Sequence, residues 1–135
     1  MTPVLQLTGA AIILFTLASL AVPLVLGWRT ELATLRPLTR KVFWTYAAYI
    51  AVTHLAFGLT AIVIPAQLVA AAPLLAGVCG FIALWWFART VIQFTTFDRS
   101  SAKTVRYGTL LELPLVFAML AFAAVFTTAT VLNLR

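Results

Sequence analysis

Three side chains that can carry charge or exchange protons lie inside apolar stretches of this chain: His54, Arg89 and Glu112. A charge in hydrocarbon is costly unless it meets a counter-charge, water or a lipid headgroup, so such residues mark candidate binding or proton-transfer sites. Only three acidic residues occur in 135 positions. We therefore predict an intramembrane pair between Arg89 and Glu112, which would lock two helices together, bind an anion or open a proton path.

The depths of the two charges are compatible with this pair. Arg89 lies eight residues inside the predicted cytoplasmic end of its apolar run, and Glu112 lies four residues inside its own. At the helical rise these distances are ~12 Å and ~6 Å, and a long arginine side chain can bridge the difference. Trp85 and Gln93 lie four residues on either side of Arg89, so the three share one helix face, where the indole can stack on the guanidinium.

The candidate polar core has further members in the preceding apolar run. His54 is the only histidine of the chain. Beside a packing role, an imidazole at this depth would serve as a proton carrier, a hydrogen-bond donor to a quinone or an axial haem ligand. Tyr46 and Tyr49 occupy an adjacent face and offer two phenol hydroxyls.

Residue counts and missing motifs exclude most other chemistry. Cys79 is the only cysteine, so an intrachain disulfide or a CxxC redox pair cannot form, and we expect a small buried apolar residue. One histidine, one cysteine and three acids are too few for a typical catalytic metal site. The sequence has no HExxH, Walker loop or nucleophile elbow. We assign no metal ligand, catalytic residue or cofactor. The missing motifs argue against an enzyme but do not exclude one.

Composition points to lipid as the solvent of this chain. Hydrophobic residues make up 64% of the sequence and charged residues 9%, more apolar surface than one soluble core of this size can bury. The net charge is +6, but the basic residues flank apolar runs and do not alternate with base-stacking aromatic residues. This distribution is typical of membrane topology signals and argues against nucleic acid as a partner.

Four apolar runs are long enough to cross a hydrocarbon core of ~30 Å. We predict spans at residues 4–27, 42–64, 74–97 and 108–131, with polar connections at 28–41 and 98–107. A cleaved signal peptide is the alternative interpretation of the first run, although a basic n-region is missing. The predicted fold class is an all-α integral membrane protein, with residues 1–135 forming a single antiparallel four-helix transmembrane bundle.

The basic residues also predict the orientation. Seven of the nine lie in connections 28–41 and 98–107, which the positive-inside rule places in the cytoplasm, so both termini are expected on the other side. We expect a multi-pass protein of a cell membrane, the bacterial inner membrane in particular. Anionic lipid headgroups are the expected partners of the two basic connections.

Rows of small residues predict where helices pack closely. In the second span these residues form a heptad-like seam that includes His54, and in the third they form a small-xxx-small row. The predicted helix-packing seam comprises Ala47, Ala51, Gly58, Ala61, Ala76 and Gly80.

Three classes of function fit this architecture. We expect a non-catalytic subunit or scaffold that self-associates or joins a larger membrane complex. The first alternative is a small oligomeric channel or ion-coupled transporter with Arg89, Glu112 and His54 as its polar core. The second is a membrane enzyme that handles a quinone, haem or lipid, in which His54, Tyr46, Tyr49 and Arg89 surround the ligand.

Overall fold

A computed structural model describes residues 1–25, 27–95 and 108–135 of the chain, and the side chains of residues 108–112 lie outside this description. All regular secondary structure in these ranges is helical. The short 3₁₀ helix Gln67–Val69 lies between the third and fourth of five α-helices, which are α1 (Thr2–Val25), α2 (Trp28–Ala33), α3 (Pro37–Val63), α4 (Pro73–Thr95) and α5 (Gly108–Asn133).

Four of the helices in the described part of the chain are long and apolar enough to cross a membrane. They are α1, α3, α4 and the Leu113–Asn133 portion of α5. The prediction of an all-helical protein with four membrane-length helices is therefore confirmed. α3 begins at Pro37, five residues before the predicted span, because proline suits the first position of a helix, where no backbone N–H is needed. Connection 98–107 lies outside the described residues.

The first compact unit, Pro3–Pro65, is built on a close approach of α1 to α3. A Cβ atom on Gly9 would lie 2.5 Å from the carbonyl oxygen of Gly58 and 3.1 Å from the Cβ of Ala61. Two glycines that face each other let two backbones come this close, which increases van der Waals contact where lipid supplies no hydrophobic driving force between helices. Ile12 and Ala61 are fully buried in this unit.

Gly27 directs the chain out of α1. Its φ of 66° and ψ of 25° are left-handed, a conformation that only glycine adopts without steric cost, and its N–H donates to the carbonyl oxygen of Leu24 at 3.4 Å. α2 follows at once, and the ring of Trp28 meets the edge of Phe43 at 5.7 Å between centroids. Phe43 in turn meets Trp44 at 5.5 Å. These rings form an aromatic cluster at the start of α3.

The second compact unit consists of Met1–Thr2 and Ala66–Arg135, and its core lies between α4 and α5. The indole of Trp86, which is fully buried, meets the ring of Phe122 at 4.9 Å between centroids and an angle of 65°. Toward the start of α4, a Cβ atom on Gly80 would lie 3.6 Å from the side chain of Thr130, an ordinary contact distance. The interface thus includes both an aromatic contact and a contact at a glycine.

We expect Gly9→Ala to lower the free energy of unfolding by about 1–3 kcal/mol, because the added methyl group would overlap a backbone carbonyl that cannot move aside. Gly77→Ala is the matched control. A Cβ atom on Gly77 meets nothing within 4 Å, so the same change should leave stability unchanged or raise it. Unfolding by sodium dodecyl sulfate in mild detergent, followed by circular dichroism, measures both. Equal effects of the two substitutions would contradict the close approach of α1 to α3.

Candidate functional site

Arg89 lies in the membrane-length helix α4, six residues before the helix ends at Thr95. The residue is half-buried, and its Nε atom is buried and makes no hydrogen bond to any residue that the structure describes. Six residues correspond to ~9 Å along the helix, so the Cα atom of Arg89 lies inside the apolar segment. A guanidinium in such surroundings attracts an anion strongly, since little water screens the charge.

The predicted neighbours of Arg89 on α4 are also half-buried. Trp85 and Gln93 share with Arg89 the margin of the helix between its buried and its exposed faces. The ring of Trp85 lies 6.2 Å from that of Phe81, at an angle of 50°. An amide, a guanidinium and an indole in one row can donate several hydrogen bonds to an anionic group.

The proposed counter-charge, Glu112, belongs to the first turns of α5. Its side chain lies outside the described residues. The pair between Arg89 and Glu112 therefore stays a prediction.

His54 lies in the other unit, on α3, and is 2% exposed. Its ring meets the edge of Phe15 from α1 at 6.5 Å between centroids and an angle of 66°. Gly58 follows one helical turn later, so the imidazole lies beside the close approach of α1 to α3. This position gives His54 a packing role between two helices of the first unit.

Tyr46 and Tyr49 lie on the surface of α3, and each is 66% exposed. Together with Lys41, Val42 and Thr45 they line a shallow groove of about 270 Å³. Its lining combines an ammonium group, two phenols and aliphatic surface. The two tyrosines are therefore accessible from outside the first unit.

The residues of the predicted packing seam differ in burial. Gly58 and Ala61 are buried against Gly9, while Ala47 and Ala51, nearer the start of α3, are half-buried. In the second unit Ala76 is 4% exposed and Gly80 lies beside Thr130. Several small residues of the seam are thus occupied by contacts within a unit.

Asn133 was not singled out from the sequence, yet its side chain makes three hydrogen bonds. Its Nδ2 donates to the carbonyl oxygens of Leu68 at 2.6 Å and Ala129 at 2.8 Å, and its Oδ1 accepts from the N–H of Ala72 at 3.3 Å. The residue is 3% exposed. The signal was available, because this is the only asparagine in the chain and it stands in the last turn of an apolar run.

The Asn133 amide ties the end of α5 to the turn that precedes α4. The carbonyl oxygen of Leu68 also accepts a hydrogen bond from the Sγ of Cys79 at 3.6 Å, so both helices of the second unit hold this turn. Cys79 is buried with no exposed surface, in the apolar position that the sequence predicts. Between these anchors Ala71 adopts a φ of 55°, which is strained for a residue with a Cβ atom.

Nine hydroxyl groups in the described part of the membrane-length helices bond to their own backbone. Each donates to the carbonyl oxygen four residues earlier, which removes a free donor from apolar surroundings and leaves one oxygen lone pair for another partner. The distances are 2.8–3.0 Å for Thr16, Ser19, Thr45, Thr53, Thr90, Thr95, Thr127, Thr128 and Thr130.

Among the residues within the described ranges, no three His, Cys, Asp or Glu side chains come together as a metal site would require. Comparison of the chain with family models, with curated proteins and with solved structures finds no match.

Asn133→Ala should lower the free energy of unfolding by about 1–3 kcal/mol, because it removes three hydrogen bonds and leaves the Ala72 N–H without its acceptor. Thr128→Val is the control, since that exposed hydroxyl bonds only within its own helix and its loss should cost little. Detergent-titration unfolding measures both, and hydrogen exchange at Ala72 should rise in Asn133→Ala alone. Unchanged exchange at Ala72 would contradict the anchoring role.

Proposed function

We propose that this chain is a non-catalytic subunit of a membrane assembly, which binds copies of itself or a second membrane protein. The observation that carries the proposal is the Arg89 guanidinium, whose Nε is buried in a membrane-length helix and has no hydrogen-bond partner among the described residues. A cation in this position needs an anion to be stable in a bilayer. A carboxylate on a neighbouring transmembrane helix is the partner with the required charge and depth.

The rest of the apolar surface supports a structural role. Asn133 and Thr90, two polar side chains of the described spans, are hydrogen-bonded within the chain. Large apolar side chains on the outer faces are well exposed, among them Leu7, Leu14, Val63, Leu84 and Phe117. Surfaces of this kind can face lipid or a neighbouring helix. Arg89 is thus the group through which a specific partner would be chosen.

For the topology we propose an antiparallel four-helix bundle with both termini outside the cytoplasm, in a bacterial inner membrane. Contacts within each unit support the antiparallel arrangement. From Gly80 to Trp86 the chain advances six residues along α4, while the neighbouring residue on α5 goes back from Thr130 to Phe122. The basic residues of connection 28–41 support its cytoplasmic location.

Single cysteines test this topology in a Cys79→Ala background. Gln67→Cys should react with a membrane-impermeant maleimide in intact cells, whereas Thr34→Cys should react only after the inner membrane is opened. Both native residues are exposed, so burial does not limit the reaction. The opposite labelling pattern would show that the orientation is inverted.

Arg89→Leu should reduce the associated fraction about tenfold or more, because removing one partner of a charge pair shielded from water costs on the order of 2–5 kcal/mol of binding free energy. Native mass spectrometry from mild detergent measures the subunit count, with Arg135→Gln as a control that removes one cation from the other end of the chain. Arg89→Lys should retain part of the association, since it keeps the charge but loses the planar guanidinium.

Glu112→Gln separates an internal counter-charge from one supplied by a partner. If a neighbouring chain carries the carboxylate, Arg89→Leu dissociates the assembly without lowering the stability of the chain. If Arg89→Leu and Glu112→Gln both lower the stability and leave the subunit count unchanged, the counter-charge is internal and the proposal fails.

A further inference from the structure

The groove on α3 is an accessible concave feature with a cation at its edge. Lys41, Val42, Thr45, Tyr46 and Tyr49 line about 270 Å³, somewhat below the 300–1,000 Å³ typical of drug-sized ligands. All five belong to one side of α3, because residues four apart in a helix lie one above the other. The size suits a headgroup better than a large cofactor.

The polar groups of the groove select for an anion. Lys41 is exposed and contributes an ammonium group with three donors. Tyr46 and Tyr49 contribute two phenol donors. The Thr45 hydroxyl already donates to the carbonyl oxygen of Lys41 at 2.9 Å, so it offers mainly acceptor capacity. No carboxylate lines the groove among the described residues, and the charge at its edge is positive.

The position of the groove along α3 corresponds to the membrane boundary. α3 has 27 residues, or ~40 Å of helix, which exceeds a hydrocarbon core of ~30 Å. Lys41 is the fifth residue of the helix, next to the basic connection, and Tyr49 lies ~12 Å further along. Side chains tilt toward the N-terminus of a helix, which brings the two phenols toward the Lys41 end. The groove therefore extends from the headgroup layer into the hydrocarbon.

We propose that this groove binds the phosphodiester headgroup of an anionic glycerophospholipid. Lys41 would contact the phosphate, the two phenols would donate to phosphate or ester oxygens, and Val42 with the aromatic rings would contact the first methylene groups of the acyl chains. A free phosphate ion would use the cation but not the apolar part of the groove. The site requires only that α3 spans a membrane, so it stands or falls separately from the association through Arg89.

Arg40 provides a matched control at nearly the same depth. Consecutive helical residues are ~100° apart, which places Arg40 about 170° from the centre of the groove, on the opposite side of α3. Both side chains are exposed, so neither substitution disturbs the packing of α1 on α3. Lys41→Gln and Arg40→Gln therefore remove the same charge from opposite faces. Equal melting temperatures in detergent would confirm that both variants fold.

The test is native mass spectrometry of the full chain in mild detergent with equimolar phosphatidylglycerol and phosphatidylcholine of identical acyl chains. The unaltered protein should retain phosphatidylglycerol in preference. Lys41→Gln should reduce this preference about fivefold, the factor that corresponds to ~1 kcal/mol for one cationic side chain near an anionic lipid. Arg40→Gln should leave it unchanged. Adding Tyr46→Phe and Tyr49→Phe to Lys41→Gln should reduce the preference for phosphatidylglycerol further, without another change of charge.

Three results would overturn the proposal. Equal losses in Lys41→Gln and Arg40→Gln would mean that general surface charge, not the groove, attracts lipid. Displacement of the lipid by millimolar inorganic phosphate would identify a simple anion site. A preference that persists in Lys41→Gln combined with both tyrosine substitutions would place the lipid elsewhere on the protein.

Discussion

The requirement that polar groups find partners in an apolar medium governs this structure. Hydrocarbon offers no hydrogen bonds, so the backbone of each span satisfies itself by forming a helix, and several polar side chains inside the spans also bond within the chain. Thr16 and Thr90, both buried, donate to carbonyl oxygens of their own helices. Asn133 donates to Leu68 and accepts from Ala72, which holds the segment before α4, and its second donor bonds to Ala129 in its own helix.

Close packing contributes the remaining stability, and the two units achieve it by different means. Between α1 and α3, Gly9 and Gly58 bring the backbones together, so main-chain atoms of the two helices approach each other directly. Between α4 and α5, Trp86 and Phe122 fill the interface with rings that meet edge to face. A glycine contact depends on the absence of side chains, whereas an aromatic contact depends on their shape.

Arg89 differs from these residues, because its buried Nε atom makes no hydrogen bond to any residue that the structure describes. An arginine in a span raises the cost of insertion unless a counter-charge, water or a headgroup meets it. The α3 groove differs in kind, because Lys41 and the two tyrosines are exposed near the start of a membrane-length helix. The ligands that we propose differ accordingly, an anion within the membrane for Arg89 and a lipid headgroup for the groove.

The sequence by itself determined the helical class, the four membrane-length helices and their approximate limits, because the length and apolar character of a span are local properties. It also identified Arg89, Glu112 and His54 as the unusual residues, since charge in an apolar run is visible without a fold. The role of Asn133 depended on the tertiary structure, because its partners lie about sixty residues away in sequence.

The tertiary structure also decided which small residues pack within a unit. A row of small residues predicts a close approach without naming the partner helix, and only the fold places Gly58 against Gly9 and Gly80 beside Thr130. The groove at Lys41 likewise depends on how neighbouring side chains are arranged on the surface of α3. Local composition therefore determined which segments form membrane-length helices. The contacts of each helix depend on how the helices pack in three dimensions, which only the tertiary structure decides.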